Sequence, residues 1–404
     1  MERLYWNNDW KFAETWEEAM KEAVYPENEM EDVRLPHTCK ELPCHYFDEH
    51  AYQMLCGYRR HFMAPEAWQG KSVELTFEGV AHDAVVYVNG TEVKAHHCGY
   101  TAFFVEIAKY LKYGEDNVLA VRVDSRENLN IPPFGYAIDY MTFGGMYREV
   151  YVQVRNKTHL ADVFVKPQIH PLQVTTEITV QNISDGITLQ QEIRKKGEGA
   201  YSPLGKKPVK QTNVQTVFPV QEIRLWELEN PYLYEIRTSL WKNGEMIDAR
   251  VDITGFREAG FRKDGFYLNG KKLRLRGLNR HQSYPYVGYA APASMQIFDA
   301  DILKKELGVN AVRTSHYPQS QDFIRRCDEI GLLVFTEFPG WQHIGDEEWK
   351  RQAVQNLKEM IVQYRNHPSI ILWGVRINES QDDDVFYRET NRVAHELDDT
   401  RATG

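Results

Sequence analysis

The sequence predicts a multidomain chain: an all-β jelly-roll sandwich over residues 1–155, an immunoglobulin-like β-sandwich over 156–256, and the first half of a (β/α)8 TIM barrel over 257–404. Three observations carry this. Short period-two segments separated by turn signals fill the first 250 or so residues. From about Thr254 the pattern switches to strand, helix, strand, helix, which is the grammar of a parallel sheet. The four candidate barrel strands each run into polar or charged residues at their C-terminal ends, where an α/β barrel keeps its chemistry.

In the first region, Ser72–Gly79 alternates apolar and polar residues. Ala84–Gly90 is a strand ending in Asn-Gly, a strong hairpin signal. Asn117–Val123 and Val150–Val154 are further strands. In the second region Val174–Val180 alternates, Gly197–Val209 is rich in Gly, Lys and Pro and reads as a loop or mobile hairpin tip, and a strand runs through Tyr234 to Leu240. About 100 residues of short strands suit an immunoglobulin-like sandwich. In the third region the expected strands are Leu273–Gly277, Asn310–Thr314, Leu332–Phe335 and Ile370–Val375. Helices are expected over Met295–Leu307, Asp322–Ile330 with Gly331 as its stop, Glu347–Tyr364 and Val385–Leu397. That makes four βα units where a closed barrel has eight.

Composition narrows the function. The net charge is −10 over 404 residues, which disfavours nucleic acid as a partner because phosphate binding needs a basic face. No apolar run approaches the ~18 residues of a membrane span. Five cysteines, Cys39, Cys44, Cys56, Cys98 and Cys327, show no paired or zinc-type spacing and suggest reduced thiols. With an N-terminus that lacks a signal-peptide core, these features point to a cytoplasmic protein. Aromatics at 12% fit either well-filled sandwich cores or stacking surfaces for sugar rings.

The candidate site is read from the strand ends. After the first strand comes Asn279-Arg280-His281, after the second Arg313-Thr-Ser-His316, after the third Glu337 with Trp341 and His343, and after the fourth Asn378-Glu379. Polar groups at four successive strand ends would be costly to bury unpaired. Glu379, beside an aromatic floor, has the position of a general acid. Glu337 could equally be a structural partner of Arg313. Glu337 and Glu379 as a working acid/base pair is a further option that their separation would decide.

Several segments closely resemble glycoside hydrolase family 2, the β-galactosidase and β-glucuronidase family. They are Val86-Tyr-Val-Asn-Gly90, Gly144-Gly-Met-Tyr-Arg-Glu-Val150, the Trp226-x-x-Glu-x-Pro231-Tyr-Leu-Tyr stretch, Leu275-Arg-Gly-Leu-Asn-Arg-His281, Asn310-Ala-Val-Arg-Thr-Ser-His-Tyr-Pro318 and Asn366-His-Pro-Ser-Ile-Ile-Leu-Trp-Gly-Val-Arg-Ile-Asn-Glu-Ser380. The resemblance implies a retaining β-glycosidase acting on a carbohydrate, with β-galactoside the favoured substrate and β-glucuronide the alternative. A non-catalytic carbohydrate-binding scaffold is the rival from another class. Glu379 is implied as the acid/base, and Asn378, His281, Arg313, His316, Asp139, Glu337 and Trp341 as sugar-site residues. Arg313 and His316 could instead only brace the mouth, and Asp139 could only cap a turn. No cofactor and no metal are implied.

Two departures from the family are visible. Arg376-Ile377 stand where many members have a glycine before the Asn-Glu pair. The chain also ends at Gly404, 25 residues after Glu379, and the family's nucleophile lies on a later strand. The expectation is therefore a portion that holds the acid/base, lacks the nucleophile and is inactive alone. Its fourth strand would have an open edge that invites association into a homo-oligomer.

Overall fold

The computed structural model describes every residue except Met1, Glu2, Cys44, Tyr46, Phe47 and Tyr136. The first sandwich packs a four-stranded sheet (Leu4–Tyr5, Val150–Arg155, Ser72–Phe77, Phe103–Glu106) against a six-stranded one. The larger sheet runs Glu31–Val33, Trp10–Ala13, Leu55–Met63, Asp116–Asp124, Asp83–Val88, Thr91–His96. All pairings are antiparallel. The Asn-Gly turn forms as expected: Asn89 and Gly90 adopt φ of 50° and 83° between the strands of one hairpin. Cys39, Cys56, Cys98 and Cys327 are buried and unpaired; burial pushes the Cys39 and Cys98 thiols up to about 12. Cys44 lies outside the described residues.

The second sandwich pairs a three-stranded sheet (His159–Gln168, Gln173–Gln181, Asn213–Pro219) with a four-stranded one (Ser202–Pro208, Ile187–Lys195, Tyr234–Lys242, Glu245–Thr254). Here one expectation is corrected. The Gly- and Pro-rich stretch is not all loop, because Ser202–Pro208 pairs with Thr188–Ile193. It is an edge strand, the one sheet position where Pro203 and Pro208 need not donate to a second neighbour. The hairpin tip is confined to residues 196–201, where Gly197 and Gly199 are left-handed.

Between this sandwich and the barrel lies a small antiparallel sheet, Ala259–Arg262, Gly265–Leu268 and Lys271–Leu273. It displaces the expected first barrel strand. Leu273 closes the small sheet, and the barrel strand β1 is Gly277–Asn279. Beyond it follow α1 (Ala293–Asp301, continued by a π-helical turn over Ile302–Glu306), β2 (Ala311–Thr314), α2 (Gln321–Ile330), β3 (Leu333–Glu337), α3 (Glu347–Tyr364), β4 (Ile370–Gly374), α4 (Asp384–Leu397) and β5 (Ala402–Thr403). The strands form one parallel sheet in chain order.

The helices start and stop for local reasons. Asp346 accepts from the Glu348 and Trp349 amides at the start of α3, a cap contributing about 1 kcal/mol. Gly331 ends α2 at φ 69°, and a side chain there would also collide with the Leu228 carbonyl. Ala353, Leu357, Ile361 and Tyr364, spaced along one face of α3, are all fully buried in the barrel core.

The short β5 corrects a second expectation. The β4 edge is covered, since Leu372 and Trp373 pair with Ala402 and Thr403, and the Val375 amide donates to the Gly404 carbonyl at 2.9 Å. The turn into β5 is locked by Asp398. It accepts from Arg401 Nη1 at 2.6 Å and from the Thr400 amide at 2.9 Å. Burial opposes its charge, but Arg401 and Thr400 hold the Asp398 carboxyl down to about 2.

The first sandwich and the barrel share a core: Tyr289, Ala290 and Tyr317 belong to the sandwich cluster. Tyr100 stacks on Tyr317 with ring centroids 4.4 Å apart. Arg148 crosses this seam fully enclosed. It donates to the carbonyls of Glu78 and Tyr100 on one side, and to Gln282 Oε1 and the Pro318 carbonyl on the other, at 3.0–3.3 Å.

Candidate active site

The C-terminal ends of β1–β4 converge on one mouth, which the first sandwich borders. β2 delivers Arg313 and β3 delivers Glu337; the parallel register sets Arg313 beside Phe335 and Glu337 beside Gly374. A Cβ at Gly374 would press on the Glu337 side chain, so glycine at the end of β4 makes room for that carboxylate. Glu337 is 2% exposed. One oxygen accepts from Arg313 Nε and the other from His316 Nδ1 at 2.9 Å. Both oxygens are thus engaged inside the wall, which makes Glu337 a brace. Its burial and partners also speak against the acid pair of an inverting enzyme.

Arg313 carries the brace onward. Its Nη2 donates to Asn378 Oδ1 at 2.9 Å. The Asn378 amide nitrogen is left as the group that can donate to a ligand. Glu379 follows, exposed and in left-handed backbone at φ 56°, a conformation costly for a side-chain-bearing residue. Opposite it stands Gln342, also left-handed at φ 54°. The Gln342 amide N–H donates to the Asn378 carbonyl at 2.9 Å, and its Nε2 donates to Glu379 Oε2 at 3.0 Å. The two strained residues hold each other across the turn. Ile377, which replaces the more usual glycine, is 2% exposed and packs toward Gly340, where a Cβ would overlap it. Gly340 thus leaves the room that the Ile377 side chain fills.

The aromatic surface differs from the expected floor. Strand alternation turns Trp373 into the helix layer, where its Nε1 donates to Asp398 at 2.9 Å. The mouth is walled instead by Trp341 and Tyr140. Trp341 lies 4.8 Å from the His316 ring, and Tyr140 lies 5.0 Å from His281 and 6.3 Å from Trp341. The Tyr140 hydroxyl is buried without a hydrogen-bond partner among the described residues. Burial, with the charges of Asp139 and Glu337 adding to it, holds that phenol well above its usual value.

His281 is exposed at the mouth, with Tyr140, His316 and Tyr317 crowding its ring; its Nδ1 lies 3.1 Å from the Tyr317 hydroxyl. That crowding and the neighbouring His316 pull it down to about 4, against the opposite pull of Asp139 and Glu337. Asp139 is exposed, and its charge is felt by His281 and Tyr140, so the sandwich loop brings it to the barrel mouth. Arg280, next to His281, turns inward to Asp299 at 2.6 Å and Gln296 at 2.8 Å. Tyr140, Tyr317 and Gln342 were not singled out from sequence. The signal for the first was available, since Tyr140 directly follows Asp139. Among the described residues no group of three or more His, Cys, Asp or Glu is arranged to hold a metal ion.

Comparison with known proteins agrees with this geometry. Three family profiles tile the chain: the glycosyl hydrolases family 2 sugar binding domain over residues 25–155, glycosyl hydrolases family 2 over 158–257, and the family 2 TIM barrel domain over 260–403. A β-galactosidase of Thermoanaerobacter pseudethanolicus is 48% identical over 99% of this chain and 55% of its own length. A β-galactosidase of Thermoanaerobacterium thermosulfurigenes is 46% identical over 98% and 57%. The chain therefore spans about half the length of the curated relatives it matches. The solved β-glucuronidase 2 of Bacteroides uniformis superposes with a TM-score of 0.89 at 28% identity, covering 100% of this chain and 52% of that one. Motifs, domain order and the layout of the barrel mouth all lead to one conclusion: the chain belongs to glycosyl hydrolase family 2.

Proposed function

We propose that this chain supplies the sugar-binding sandwich and the acid/base half of the active site of a retaining β-galactosidase. The observation that carries the reading is the contrast at the β4 end: Asn378 is clamped by Arg313, while the Glu379 carboxylate next to it stays open to the mouth. In this reading Glu379 protonates the leaving glycosidic oxygen and then takes a proton from the attacking water. Asn378, its oxygen committed to Arg313, turns its N–H toward the sugar 2-hydroxyl, a contact that strengthens as the oxocarbenium character grows. His281, Asp139, Trp341 and Tyr140 face the sugar. His281 does so as a neutral ring near pH 7, its value lying at about 4, so it serves as a hydrogen-bonding group and not as a cation. The nucleophile, which a retaining enzyme needs ~5–5.5 Å from the acid, is assigned to the part of the family's length outside these 404 residues.

A β-galactoside is favoured because two relatives above 45% identity bear the name β-galactosidase. A β-glucuronide is the second reading, supported by the fold similarity to a β-glucuronidase. Turnover of paired chromogenic galactosides and glucuronides by the full-length protein separates them. In that protein, Glu379→Gln should slow galactosides with poor leaving groups by about 10²–10⁴-fold. It should slow glycosylation by an activated aryl galactoside far less. Equal losses for both would remove Glu379 from the acid role.

A further inference from the structure

On the side of the barrel away from Glu379, the second sandwich and the barrel border an open-sided cavity of about 330 Å³. Its walls are residues 165–170 of the sandwich, 254–259 of the connection, and 365–368 and 399–401, which precede β4 and β5. Liquid water occupies about 30 Å³ per molecule, so the space exceeds what one or two bridging waters fill.

Four cationic side chains line it: Lys166, Arg257, Arg365 and Arg401. Three are neutralised. Lys166 meets Glu177 and Asp399 at 2.6 and 2.8 Å, Arg365 meets Asp162, and Arg401 meets Asp398 at 2.6 Å. Arg257 differs. It donates through Nε and Nη2 to the carbonyls of Pro368 and Ile370, and among the described residues it has no carboxylate partner and nothing bonded to Nη1. A guanidinium presents five N–H donors and does not readily lose its charge, and Nη1 of this partly buried side chain is left to take an acceptor from the cavity. Burial and the nearby Arg401 charge pull Arg257 down to about 9, with Asp398 and Asp328 offsetting only part. The wall carboxylates do not answer this charge, since Asp399 is engaged by Lys166 and Glu258 is exposed.

We propose that this interdomain cavity binds a small tetrahedral oxyanion, of phosphate or sulfate type, gripped by the free edge of the Arg257 fork. Such an anion supplies the missing countercharge and matches the planar donor geometry that distinguishes arginine from lysine. It would tie the second sandwich to the starts of β4 and β5, apart from the sugar site.

The test is a calorimetric titration of the full-length protein with inorganic phosphate, sulfate and a hexose phosphate, at ionic strength fixed by chloride. Saturable millimolar or tighter binding is expected, and the tighter of ion and ester identifies an inorganic anion or a phosphorylated sugar as the source. Arg257→Lys keeps the charge but loses the fork and should weaken binding about tenfold. Because Arg257 also holds two β4 carbonyls, a second variant leaves it untouched: Gln168→Glu adds a negative charge of nearly the same shape on the exposed sandwich wall and should weaken binding severalfold. Absence of saturable millimolar binding, or binding that neither variant changes, overturns the proposal.

Discussion

Glu337 and Glu379 are one residue type at the ends of neighbouring strands, yet the structure treats them oppositely. Glu337 is buried, with both oxygens taken by Arg313 and His316. Glu379 is exposed, held at one oxygen by Gln342, on backbone that only a supported turn maintains. In the proposed function this difference in environment divides the labour of two carboxyls, as it does in glycosidases generally. A carboxylate that must exchange protons with a substrate cannot also be fully satisfied by the protein. The one that is fully satisfied keeps the other's neighbours in place.

The largest effect that would sharpen this contrast is on stability. Glu337→Gln leaves Arg313 and His316 without their shared anion, and removing one partner of a buried ion pair costs about 3–5 kcal/mol. Urea unfolding of the two single variants reads this directly. Glu379→Gln, at an exposed position, should move stability by no more than about 0.5 kcal/mol. Comparable losses in both would erase the division between brace and acid.

A smaller effect concerns Gln342. Gln342→Ala removes a hydrogen bond to a charged group and frees the turn. In the full-length enzyme, kcat for poor leaving groups should fall about tenfold, equivalent to about 1.4 kcal/mol, with the melting temperature nearly unchanged. An unaltered kcat would mean that Glu379 positions itself without help.

The mouth also sets a pH dependence. His281 is held at about 4, below its ordinary 6.5, so the unfolded chain binds the proton more readily between those values. Stability should therefore decline as pH falls from 6.5 to 4. His281→Asn should make that decline shallower but not abolish it, because His37 and His82 are also pulled down to about 4 by burial. An unchanged acid limb in the variant would place His281 in freer solvent than its crowding implies.

The smallest change belongs to Tyr140. Its hydroxyl has no partner among the described residues, so Tyr140→Phe should leave stability within about 0.5 kcal/mol of the parent while raising KM for the sugar. An unchanged KM would leave the hydroxyl without a role at the mouth.

How much of this was legible in the sequence depends on the range of the forces involved. Strand ends that carry Arg313, Glu337 and Glu379 were readable because a parallel strand's periodicity and its C-terminal polar residues are local features. The small sheet over 259–273 was misread because Leu273-Arg-Leu-Arg has a strand pattern that serves a hairpin as well as a barrel; only pairing partners decide. Ser202–Pro208 was misread because edge strands tolerate the prolines that usually mark loops. The β5 start is too short to show any period. The face taken by Trp373 could not be read, because an apolar run of this kind carries no alternation to orient it. Gln342 was invisible, since its importance comes from meeting Glu379 across 37 residues of chain.

Arg148 has a consequence for how the molecule can be taken apart. Its guanidinium is spent on carbonyls and an amide from both sides of the seam. Separating the sandwich from the barrel would leave an enclosed cation on one half and unanswered acceptors on the other. The two are in effect a single foldon whose boundary does not follow the domain boundary. Recombination between family members should succeed when the 148-side donor and the 282–318 acceptors are inherited together. It should fail when a crossover falls between them, however well each parental domain folds in its own context.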